Sequence, residues 1–63
     1  MNNDPIVMAA DLIERYGLEG AKEAVREEIT TAHGREDNYS LSVWREVRRT
    51  LVAMQNDAAK QED

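Results

Sequence analysis

Apolar residues return every three or four positions along most of this chain, the period of an α-helix packed on one side. The first run holds Ile6, Ala9, Ala10, Leu12, Ile13 and Tyr16, with Asp11, Glu14 and Arg15 on the other side. Asp4-Pro5 supplies its start, because a carboxylate accepts from the free N–H groups of a first turn and proline there gives up a donor that has no partner. Gly17 supplies a stop, since glycine readily takes the left-handed conformation that closes many helices. A first helix is thus predicted over about residues 5–16.

A second run follows after almost no linker. Leu18, Ala21, Val25, Ile29 and Ala32 form its stripe, Glu19, Glu23 and Glu27 lie opposite, and His33-Gly34 closes it, giving a helix over about 18–33. A loop is expected near Gly34–Tyr39. Ser40 or Ser42 then caps a third helix over about 41–58, with a stripe of Trp44, Val47, Leu51, Met54 and Ala58. The polar tail, about 59–63, is expected to fray. No strand pattern, internal repeat or low-complexity stretch occurs. The fold class predicted is all-α: one small three-helix domain over residues 1–63, centred on Trp44. Periodicity fits a bundle and an orthogonal array equally.

Composition narrows what such a domain does. The chain has 63 residues, no Cys, no Phe, and only Tyr16, Tyr39 and Trp44 as aromatics. Disulfides, thiolate metal sites and thiol nucleophiles are excluded together, and the core is thin. Small scaffolds without staples often gain stability by association, so a homodimer is one expected state. No stretch approaches the roughly 18 apolar residues that span a bilayer, and Met1-Asn2-Asn3-Asp4 lacks the basic start of a secretory signal. A cytoplasmic protein with no membrane contact is expected. Net charge is −5, so direct nucleic-acid binding, which rests on clustered positive charge, is not expected.

Catalysis is poorly supplied. His33 is the only histidine, and it falls at the end of the second helix, where a cationic imidazole suits the helix dipole. No Ser-His-acid arrangement, metal-ligand spacing or glycine-rich phosphate loop is present. The chain is therefore read as no enzyme, with no metal and no cofactor.

Two surface features stand out. On the third helix, Leu41, Arg45, Arg48, Arg49 and Val52 lie beside the main stripe, and arginine flanking exposed aliphatics is a common composition of interfaces. A plain surface reading competes: Arg48 can lie over Trp44, and Glu46 can pair with Arg49 one turn on. On the second helix, Glu19, Glu23 and Glu27 repeat every about 6 Å, a spacing close to that of phosphates on an extended strand. Lys22 and Arg26 relieve that ladder from three residues away. A further aliphatic, Met8, also lies outside the stripes.

Ala10, Leu12-Ile13, Tyr16-Gly17, Ala21 and Ala24, followed by Trp44, Val47 and Leu51, resemble short helical proteins of alphaproteobacteria, a domain family without an established activity. The resemblance implies a small helical fold and transfers no site residue. The function expected is a non-enzymatic protein-interaction module whose partner is another protein or a second copy, or a small regulatory subunit. The alternative is an acidic mimic of nucleic acid that inhibits a nucleic-acid-handling enzyme, of the anti-restriction or anti-CRISPR kind, through Glu19, Glu23 and Glu27.

Overall fold

The start signal works as the sequence predicts. Asp4 Oδ1 accepts from the Ile6 N–H at 2.9 Å, with Pro5 directly after the cap. The structure, a computed structural model, describes residues 4–60, excluding the side chains of 58–60. The Ala58 side chain and the tail beyond Lys60 lie outside the described residues. Two helices form: α1, Pro5–Gly34, and α2, Asn38–Lys60.

The three-helix expectation is therefore corrected to an all-α helical hairpin. Leu18 resumes helical structure immediately after Gly17, so no loop divides the first two predicted helices. Gly17 does leave the helical region, with φ 77 and ψ 170, and so bends α1 rather than ending it. The bend has a large effect on packing. Along a straight helix Ala9 would stand about 18 Å from Ala21. Instead Ala9 joins the same fully buried cluster as Ala21, Val25, Val47 and Leu51. The first segment, residues 5–16, is thus folded back as an arm against the hairpin made by the rest of α1 and α2.

Leu51, Val25 and Val47 are the largest fully buried side chains, and Met8, Leu12, Ile13, Leu18, Ile29, Trp44 and Met54 pack around the cluster. The core is centred on Leu51, with Trp44 at its margin. The stripe of the second predicted helix stands as read, and that of the third does so from Trp44 to Met54, but the arm's does not. Ile6 is 61 % exposed and Tyr16 57 %, and Ala10 is exposed as well. Met8, left outside the stripe, is partly buried on the core instead. No polar or charged residue is buried among the described residues.

The corner between the helices is shorter than predicted, comprising Arg35, Glu36 and Asp37 alone. Asp37 N–H donates to the Ala32 carbonyl at 2.9 Å and Glu36 N–H to the His33 carbonyl at 3.1 Å, which satisfies carbonyls that the last turn leaves open. Such a closure places one residue in the left-handed region. That residue is Glu36, at φ 56, whereas the expected Gly34 stays helical. A side chain in that region costs about 1–2 kcal/mol, and glycine's looser unfolded state takes back about 0.4–1. Glu36→Gly is accordingly expected to stabilise the chain by about 0.5–1 kcal/mol, read as a rise of a few degrees in Tm by circular dichroism. A lower Tm would mean that the Glu36 side chain makes up the backbone penalty.

Asp37, rather than Ser40 or Ser42, caps α2. Its Oδ1 accepts from the Ser40 N–H at 3.1 Å and its Oδ2 from the Ser40 hydroxyl at 2.8 Å, which starts the helix at Asn38 instead of Leu41. These bonds, the backbone one foremost, hold the Asp37 carboxyl below the ordinary carboxylate range. A lowered folded pKa means that the cap stabilises above the unfolded value near 3.8 and that this support is lost as pH falls through the folded value.

Candidate functional site

The outer face of α2 presents Arg45, Arg48, Arg49 and Val52, all exposed. Leu41, the fifth residue of the predicted interface, is corrected: only 8 % of it is exposed, and it stands one turn before Trp44, which packs on the core. Lys22, Arg26, Arg45, Arg48 and Arg49 divide into two groups. Arg49 Nη1 contacts Glu46 Oε1 at 2.7 Å, the pair expected from spacing, and on α1 Lys22 pairs with Glu19 at 3.6 Å and Arg26 with Glu23 at 2.6 Å. Arg45 and Arg48 have no ion pair among the described residues. They stand at i and i+3, with Val52 at i+7, so the three form one strip along the helix. Val52 is 44 % exposed.

The acidic ladder of α1 is largely answered by its own helix. The hydrogen bond from Arg26 to Glu23, then their opposite charges, raise the Arg26 pKa further and keep it cationic at every working pH. Glu27 stands outside any ion pair among the described residues. Exposed pairs of this kind contribute little to stability, typically about 0–1 kcal/mol, so their main effect is on surface potential.

The hairpin brings the two surface features together. Glu19, Lys22, Glu23 and Arg26 from α1 line one shallow groove with Arg48 and Val52 from α2. Arg45, Arg49 and Glu27 are not in it. A cross-helix hydrogen bond, Lys22 Nζ to Gln55 Oε1 at 3.2 Å, also joins the two helices. Gln55 was not singled out in the sequence, and a residue 33 positions from its partner leaves no local signal. Every charge in the groove sits on an exposed or partly exposed side chain.

No family model matches this chain, and neither the curated proteins nor the solved structures give a match. The surface itself therefore carries the functional argument.

His33 is exposed in the last turn of α1, and its carbonyl, not its ring, takes part in closing the corner. Among the described residues no group of three His, Asp or Glu converges as a metal site requires. None of the described helices is long and apolar enough to cross a membrane. The bond linking Lys22 to Gln55, far from the corner, keeps the two helices side by side rather than crossing steeply as the pair in a helix-turn-helix does.

Proposed function

We propose that this protein is a non-enzymatic interaction module of the cytoplasm that binds another protein through the outer face of α2, as a small regulatory subunit would. Arg45 and Arg48 are the charged contacts and Val52 the apolar one. The observation that carries this reading is the unmatched pair Arg45 and Arg48 beside exposed Val52, where Lys22, Arg26 and Arg49 are each held by a glutamate. Arginine adapts well to this task, since its fork meets carboxylates with two parallel hydrogen bonds and its stem packs on apolar surface. The fitting partner surface is an apolar patch flanked by carboxylates. Glu19 and Glu23 already have cations one turn on, so an acidic mimic of nucleic acid draws no comparable support from the fold.

The test compares the tagged chain with Arg45→Glu/Arg48→Glu/Val52→Asp in affinity capture from a nuclease-treated native lysate. All three positions are exposed, so the variant is expected to keep the helix content of the parent. A partner recovered at near-equal yield by the parent and lost by the variant supports the assignment. A partner retained equally by both would move the interface off α2.

A further inference from the structure

Two glycines in α1 are each fitted to its bend, and a straight helix needs neither. Gly17 sits at φ 77, ψ 170, a region open essentially to glycine alone. Gly20 lies within the resumed helix, yet a Cβ built there would come 2.7 Å from Tyr16 Cβ. In an unbent helix, Cβ atoms four residues apart stand about 5–6 Å from each other. The close approach at Gly20 therefore belongs to the bent form alone. Alanine at either position penalises the bend and favours the straight helix, where alanine outranks glycine.

The arm that this bend folds back is lightly held. Ala9 is its one fully buried residue among those described, while Met8, Leu12 and Ile13 are partly covered and Ile6, Val7 and Tyr16 stay exposed. A single residue with no loop connects it to the hairpin. Straightening at Gly17 turns the apolar side of the arm away from its own hairpin and uncovers the surface under Ala9. The surface complementary to each is its counterpart on a second copy of the chain.

We propose that Gly17 is a hinge through which residues 5–16 exchange between two copies, giving a closed two-fold dimer in which each arm covers the partner's hairpin. Exchange keeps every arm–hairpin contact and changes only the torsions at the hinge. The balance between monomer and dimer is then set by protein concentration and by the cost of the bend. Arg45, Arg48 and Val52 take no part, so this inference and the proposed function fail or succeed separately.

The test uses the full chain as wild type, Gly17→Ala, Gly20→Ala and, by chemical synthesis, Gly17→D-Ala, whose inverted centre favours positive φ. Light scattering after gel filtration, across a concentration series and after refolding at high concentration, gives the mass. Circular dichroism gives the helix content. Both L-alanine variants are expected to form dimers of parental helix content at concentrations where the wild type is monomeric, with dissociation constants lower by roughly tenfold or more because each dimer holds two hinges. Gly17→D-Ala is expected to stay monomeric. The Arg45→Glu/Arg48→Glu/Val52→Asp changes, added to Gly17→Ala, are expected to leave the dimer intact. Folded L-alanine variants that remain monomeric throughout the series would overturn the proposal, and so would a dimer abolished by the α2 changes. Should the L-alanine variants lose helix content, the wild type decides. A slowly dissociating dimer after concentrated refolding supports the hinge, and monomer alone overturns it.

Discussion

Leu51→Ala is expected to leave most of the chain unfolded at 25 °C, with the helical signal largely lost in circular dichroism. A domain of 63 residues holds roughly 3–9 kcal/mol of stability. Without disulfides or metal, a small scaffold belongs in the lower part of that range. Truncating a buried leucine costs about 2–5 kcal/mol, from lost transfer energy and from the cavity left behind. Leu51 is among the largest fully buried side chains, in a cluster otherwise made of alanine and valine, with no phenylalanine to shift into the gap. Urea titration reads the loss directly. A midpoint close to the parent's would show that the arm and hairpin close over the cavity, and would weaken the placement of Leu51 at the centre.

Val25→Asp is expected to be more severe at neutral pH and to differ in kind. It places a carboxylate where no described polar group is buried to receive it. Burial disfavours the charged form and raises the folded pKa, so the penalty is full above that raised value and eases as pH falls from it toward the unfolded value near 3.9. Val25→Ala, by contrast, leaves only a cavity, whose cost is independent of pH. Stability relative to the parent at pH 7 and at pH 3 separates the two. The comparison must be relative, because the parent itself loses the Asp37 cap at low pH. A Val25→Asp penalty equal at both pH values would mean that water or a neighbouring cation reaches position 25, and that the core there is open.

Much of the fold was legible because it depends on local chemistry. The apolar period gave the all-α class, Asp4-Pro5 gave the start of α1, and the stripes through Val25 and through Val47 and Leu51 gave the core. The failures share one cause: local signals report conformation, not connection. Gly17 signals a residue outside the helical region, which is what the structure contains, but not whether the helix resumes at the next residue. The width of an apolar stripe likewise says nothing of which edge is covered. In the arm that is decided by the bend, which leaves Ile6 and Tyr16 out and draws Met8 in. Asp37 outcompetes Ser40 as cap because a carboxylate can take both the N–H and the hydroxyl of Ser40. That choice moves the helix start to Asn38. At the candidate site, the residues of each face were readable separately. Their meeting in one groove depends on how α2 is rotated against α1, which no spacing within a helix encodes.

The wholly apolar core has a consequence for how the two helices keep their alignment. Each stripe is a row of similar teeth, so sliding α2 by one turn sets Val47 or Leu51 against another alanine, valine or isoleucine of α1 with no buried polar mate left stranded. The pawl of this ratchet is the corner. Asp37, tied through its N–H to Ala32 and through its carboxylate to Ser40, is bonded to both rows at once and fixes where the count begins. The information that selects one alignment from several near-equivalent ones is thus held outside the core, at the corner through Asp37 and along the hairpin through the Lys22–Gln55 bond.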